Sequence, residues 1–355
     1  MTADADRPTA PESPEPTARR RRELTASDYV AGVLERDRGI LARAITLVES
    51  NAPAHFALAQ EVVQALLPHR RAAWRVGVTG VPGSGKSTLI EALGTRLTAA
   101  GHQVAVTAVD PSSSVSGGSL LGDKTRMERL AADPAAFVRP SPTGGTLGGV
   151  TRKTRETILL FEAAGFDVIL VETVGVGQSE GVVRGMVDCF LLLLIAGAGD
   201  ELQGLKKGVI ELADLVVINK ADGSGAAASE RTRADYARAL HYLRPATEGW
   251  TTPALACSAL HGHGLDALWS TVEDFFRQAG ASGALERRRR EQERTWVQAL
   301  VTEQLLARFR GHPAVREQLP ELERRVVEGE LSAVAAAQQL LALFEGPAGP
   351  ADAST

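Results

Sequence analysis

Cysteine is nearly absent. Cys189 and Cys257 are the two cysteines in 355 residues and stand far apart, so neither a disulfide framework nor a cysteine-rich metal cluster can be built from them. Asparagine is equally scarce, and neither Asn51 nor Asn219 lies in a glycosylation sequon. Both absences point to a reducing cytosol. No sign of charge dominates: Lys+Arg number 39 and Asp+Glu 43, for a net charge of −4. That balance argues against a general binder of nucleic acid or acidic membranes. Long hydrophobic runs are missing too. The greasiest stretch, Phe190 to Ala196, is far short of the roughly 20 residues a spanning helix needs, and suits a buried strand. The segment from Met1 to about Arg22, rich in Pro, Ala, Thr and Glu and ending in four arginines, lacks the apolar core of a signal peptide and reads as a disordered tail. A cytoplasmic location with no membrane or nucleic-acid partner is expected.

What is present is ordinary globular composition, 44% hydrophobic and 23% charged. From Leu24 to Arg70 the pattern is helical: Ser27 is a candidate cap, Tyr29, Val30, Val33 and Leu34 begin an apolar face, and Ile40, Leu41, Ile45 and Val48 continue it until Asn51-Ala52-Pro53 breaks it. A second helix carries Phe56 to Leu67. From Trp74 to about Ala279, short apolar runs alternate with helical stretches; the runs are Arg75–Thr79, Val104–Val109, Val168–Val171, Phe190–Ala196, Leu215–Ile218 and Ala254–Cys257. This alternation predicts an α/β fold with a doubly wound, mostly parallel sheet, its ligands at the carboxyl ends of the strands. From about Leu285 to Phe344 the chain is helical again, punctuated by Pro313 and Pro320. The expected organisation is a tail over 1–23, a helical subdomain over 24–72, a P-loop domain over 73–282, a C-terminal helical arm over 283–345 and a tail over 346–355. The arm's apolar stripe needs a partner, either the chain's own body or a second copy.

The strongest motif is Gly80-Val81-Pro82-Gly83-Ser84-Gly85-Lys86-Ser87-Thr88, a full Walker A pattern between a strand and a helix. Its backbone N–H groups can curl around phosphate oxygens at a helix N-terminus. Lys86 can reach the β and γ phosphates, and the Ser87 hydroxyl can ligate Mg²⁺. A second motif names the base. Asn219-Lys220-Ala221-Asp222 follows an apolar run. The Asp222 carboxylate can accept from guanine N1–H and the exocyclic amine, which adenine cannot match. Asn219 would bond the other edge of the base and the Lys220 stem would cover the ring. Ser258-Ala259-Leu260 supports guanine, the Ala259 N–H being placed for O6. His261 and His263 read as loop histidines, because Cys257 alone beside them does not complete a metal site. On the phosphate side, Asp110 and Glu172 close two apolar runs and can hold Mg²⁺ directly or through water. Asp123 is a third candidate beside the metal, or a helix cap. The Gly175 N–H can sense the γ-phosphate, with Val176 to Glu180 as the moving switch.

Together with Asp110-Pro111-Ser112-Ser113, Gly122 to Met127, Glu172 to Glu180 and Asp200 to Gly208, these motifs resemble the MeaB family, GTPase chaperones of methylmalonyl-CoA mutase, over roughly Leu24 to Phe344. The resemblance implies GTP hydrolysis to GDP and phosphate, with GTP or GDP as ligand and Mg²⁺ as cofactor. Lys86 and Ser87 would bind phosphate and metal, with Asp110, Asp123 and Glu172 around the metal. Asp200 and Lys206 would lie in a catalytic switch that couples a partner to hydrolysis. The implied partner is an adenosylcobalamin-dependent acyl-CoA mutase, whose cofactor loading the protein gates and which it protects or reactivates, with a cobalamin adenosyltransferase as a further partner. No cobalamin is expected on this chain itself. A homodimer through the C-terminal helices is also implied. The family also carries a kinase reading linked to transport of basic amino acids. Nickel delivery by related GTPases uses His-rich tails or Cys/His sites, and the 7 histidines here form no such cluster.

Overall fold

The computed structural model describes residues 24–109, 127–139, 147–173, 179–197 and 207–346. Among them, seven strands form one sheet: β1 Trp74–Gly80, β2 Val104–Val109, β3 Ala136–Arg139, β4 Val168–Thr173, β5 Cys189–Ile195, β6 Leu215–Asn219 and β7 Ala254–Ala256. The order is β3-β2-β4-β1-β5-β6-β7, and every pair is parallel. A parallel sheet is covered on both faces, so its strands are apolar throughout rather than alternating. β2 and β4 are buried at every position, which is why they read as apolar runs broken only by Thr107 and by Glu172-Thr173 at the end of β4. The carboxyl end of the central strand β1 opens where the order runs outward on both sides, the place such sheets put ligands.

One face of the sheet packs on the helix Leu147–Ala164 and, through it, on the three N-terminal helices Ala26–Leu34, Arg38–Glu49 and Pro53–Leu66. The other face packs on the helices Lys86–Ala99 and Leu265–Ala281. Beyond the sheet run the long helix Ala284–Gly311 and the helices Pro313–Val327 and Ala333–Glu345, with a small core of Val315, Leu322, Ala336 and Leu340 between the last two.

Three local expectations are corrected. Thr25, not Ser27, caps the first helix: its hydroxyl accepts from Asp28 N at 3.3 Å while the Asp28 carboxylate accepts from Thr25 N at 2.9 Å, a reciprocal capping box. The apolar face from Tyr29 to Val48 is cut in two at Arg36, whose φ of +59° no α-helix accepts. Its guanidinium is held there by Ala164 O at 2.6 Å and Gly165 O at 2.8 Å. Pro320 does not interrupt a helix but lies inside Pro313–Val327.

Candidate nucleotide-hydrolysis site

The P-loop leaves the end of β1. Gly80 has φ +155°, and a Cβ there would sit 2.2 Å from the Leu193 carbonyl of neighbouring β5. Gly85 has φ +93°, and a Cβ there would sit 2.6 Å from Asn219 Nδ2. Glycine is required at both positions, on conformational and on packing grounds. Lys86 opens the helix Lys86–Ala99, and its Nζ bends back over the loop to donate to Gly80 O at 2.9 Å and Val81 O at 3.3 Å. Ser84 is buried beneath the loop, whereas Pro82, Gly83 and Thr88 are open to solvent. The Ser87 hydroxyl donates to Glu172 Oε1 at 2.9 Å. Glu172 is buried on β4, opposite Val78 of β1 in register. Next to it, Thr173 Oγ1 donates to Thr79 Oγ1 at 2.8 Å and ties the two strand ends together. A hydroxyl and a carboxylate thus meet beside the loop, both hard oxygen donors of the kind Mg²⁺ takes.

The guanine motif is cross-tied to that loop. Asn219 ends β6, and its Nδ2 donates to Ser84 O in the P-loop at 2.8 Å. Its Oδ1 accepts from Ala259 N at 3.0 Å and from the Cys257 thiol at 3.6 Å. Burial pushes that thiol up to about 12, so it stays protonated and able to donate. Lys220 is exposed and holds φ +59°, a conformation sparsely used by residues with a side chain and typical of functional sites. The Asp222 carboxylate accepts from the Ser258 hydroxyl, which orients it. The Ala259 N–H, expected at guanine O6, is donated instead to Asn219 in this structure. Leu260 beside it is 76% exposed. His261 and His263 are exposed neighbours with ring centroids 6.0 Å apart. No group of three or more metal-ligating side chains occurs among the described residues.

The structure therefore brings together Gly80 to Thr88, Glu172, Asn219, Lys220, Asp222 and Ser258 to Leu260. Asp110, Asp123, Gly175, Asp200 and Lys206 lie outside the described residues. Arg184, which follows the expected switch, turns to Asp214 at 2.9 Å, where β6 begins, at the end of the strand opposite Asn219.

Sequence reasoning missed a second polar cluster, at the amino ends of the strands. Asp188 and Asp214 are fully buried just before β5 and β6. Arg289 of the long helix pairs with Asp188 at 2.6 Å, and Arg288 with Asp214 at 3.3 Å. In sequence Arg287 to Arg290 show only the charged start of a helix. The single hint was an acidic residue placed directly before the apolar runs that begin β5 and β6.

A parallel sheet with a Walker A loop at its central strand and an Asn-Lys-x-Asp motif two strands away defines a guanine-nucleotide-binding P-loop protein. The family described as methylmalonyl Co-A mutase-associated GTPase MeaB matches residues 41–314. The chain belongs to that family and is a GTPase. It is 57% identical to a Caulobacter vibrioides protein named as a GTPase, over 87% of this chain and 94% of that one. It is 49% identical to the mouse protein named methylmalonic aciduria type A homolog, mitochondrial, over 88% of this chain and 78% of that one. A crystal structure of a LAO/AO transport system kinase superposes with a TM-score of 0.74 at 39% identity, covering 92% of this chain and 99% of that one.

Proposed function

We propose that this GTPase serves an adenosylcobalamin-dependent acyl-CoA mutase in the cytoplasm, gating cofactor loading and protecting or reactivating the mutase. The family match over residues 41–314 carries this reading. Mg²⁺ fits beside the P-loop: Ser87 and Glu172 would hold it, with Asp110 and Asp123 completing its surroundings directly or through water. Bound there, the metal would neutralise charge on the transferring phosphoryl group, while Lys86 binds the same phosphates and the P-loop N–H groups orient them. Asn219, Lys220 and Asp222 would read guanine, and Gly175 would sense the γ-phosphate. Asp200 and Lys206 would lie in the segment through which the mutase reaches the nucleotide.

A homodimer is part of the proposal. On the helix Ala284–Gly311, Val297, Val301 and Leu305, spaced four residues apart, are all exposed. An apolar stripe of that kind on a long helix calls for a second helix to cover it. A cobalamin adenosyltransferase is a further proposed partner.

Co-purification of the native protein, followed by identification of what comes with it, tests the partner assignment. A mutase in stoichiometric amount is the expected result; its absence when both proteins are expressed together counts against the assignment. The name of the structural neighbour favours a second reading, a kinase tied to basic amino-acid transport. The two readings part on the fate of the γ-phosphate, which a GTPase releases as inorganic phosphate and a kinase leaves on an acceptor.

A further inference from the structure

The short helix Ser179–Arg184 begins inside the stretch Val176 to Glu180, read above as the moving switch that follows the γ-phosphate sensor Gly175. Its far end is held by side chains from three different elements. Gln292, on the helix Ala284–Gly311, is buried and donates through Nε2 to Arg184 O at 3.2 Å and Val187 O at 2.8 Å. Arg155, on the helix Leu147–Ala164, donates to Gly185 O. Asp214, just before β6, accepts from Arg184. Gln292 belongs to a continuous face. One turn before it, Arg288 donates to the Asp188 carbonyl and the Thr247 hydroxyl. One turn after it, Trp296 lies under the Arg155 guanidinium, 5.0 Å from the ring centroid.

Carbonyls at a helix end have no partner within the helix and must find one outside it. Here the donor comes from a residue more than a hundred positions later, in the segment proposed to form the dimer. An amide turned the other way would set its oxygen against two carbonyls, so only donation by Nε2 is favourable.

We propose that Gln292 is a positioning residue for GTP hydrolysis. It fixes the rear of the switch helix from the C-terminal arm, so that a displacement of the arm by a second copy or a bound partner is felt at the γ-phosphate. The proposal rests on the reading of Gly175 as the γ-phosphate sensor and of Val176 to Glu180 as its switch, and it supplies a route by which a partner could regulate that site. The guanine motif and the P-loop are not touched by Gln292, so recognition of GDP should not depend on it.

The test uses full-length protein and the variants Gln292→Met, which keeps the volume and loses both donations, and Gln292→Glu, which replaces the donor by an acceptor. GDP affinity should stay at the wild-type value. The affinity for a non-hydrolysable GTP analogue should fall about tenfold, the scale expected for losing buried hydrogen bonds, and the hydrolysis rate should fall with it. Amide exchange over residues 179–188 should quicken while that of the helix Lys86–Ala99 stays unchanged. A merely structural role would move GDP and analogue affinities together or leave both alone, and either result overturns the proposal. Wild-type protein provides a measurement free of any folding defect: exchange over residues 288–296 should differ between the GDP-bound and analogue-bound states. Identical exchange there also overturns it. Failure of the underlying site reading would show separately, as a wild-type protein whose exchange over residues 179–184 is the same with GDP and with the analogue.

Discussion

At the scale of single residues, the site is a set of polar groups aligned by the protein's own hydrogen bonds. Asp222 is aligned by Ser258, and Asn219 is fixed at both ends of its amide. Asp222→Asn exchanges an acceptor for a donor at the position proposed to meet N1–H and the exocyclic amine. It should therefore weaken guanine binding by at least about tenfold and favour xanthine nucleotides, as competition with labelled GDP would show. Lys86→Ala should abolish turnover, because the cation that neutralises the transferring phosphoryl group is lost; a normal rate would contradict the P-loop assignment. Burial also makes Cys257 a reporter of alkaline stability. Its folded value of about 12 lies above the ordinary 9.0 of the unfolded chain. The contribution is fully present below the unfolded value and is lost as pH rises from there towards the folded one, because the unfolded chain ionises first. Denaturant midpoints should fall as pH rises above about 9 towards about 12, and Cys257→Ala should fall less steeply over that range.

At the scale of elements, the long helix Ala284–Gly311 is joined to the sheet by charges that sequence periodicity cannot announce. Arg288 and Arg289 lie in a run of four arginines, and nothing in that run distinguishes the pair that enters the protein from the pair that stays outside. Asp188, the partner of Arg289, is 101 residues away, and Asp214, the partner of Arg288, is 74 residues away, so neither leaves a periodic trace. What was legible had a local cause. Six strands could be read because burial in a covered sheet leaves each a run of mostly apolar residues, despite Arg75 in β1, Thr107 in β2 and Glu172 in β4. β3 was missed because its four residues include Arg139, which pairs with Glu49. The P-loop was legible because its glycines are dictated by backbone geometry. The Thr25 cap was not, because Thr25 and Ser27 are both acceptable caps by composition and the reciprocal bond to Asp28 decides between them. Thr25→Ala should cost about 1 kcal/mol of stability, measurable as a shift in denaturant midpoint. Arg289→Leu should cost more, about 3–5 kcal/mol, because it leaves the buried Asp188 carboxylate without its cation.

At the scale of the whole molecule, the sheet has two working ends. Its carboxyl edge carries the nucleotide site, and its amino edge carries the arginine clamp that sets the arm. Strands β1, β5 and β6 run from one to the other, and the helix Ser179–Arg184 touches the arm through Gln292. Among the described residues no helix is long and apolar enough to cross a membrane. A chain ended after Trp296 keeps Arg288, Arg289 and Gln292 in place and removes the exposed stripe at Val297, Val301 and Leu305. Light scattering should report a monomer for that chain and a dimer for the full length. The most direct test of the account is the initial rate of GTP hydrolysis with and without purified methylmalonyl-CoA mutase, with ATP in parallel. The account expects slow hydrolysis of GTP alone, a marked acceleration by the mutase, and negligible turnover of ATP. A GTP rate indifferent to the mutase, or ATP hydrolysed as fast as GTP, would contradict it.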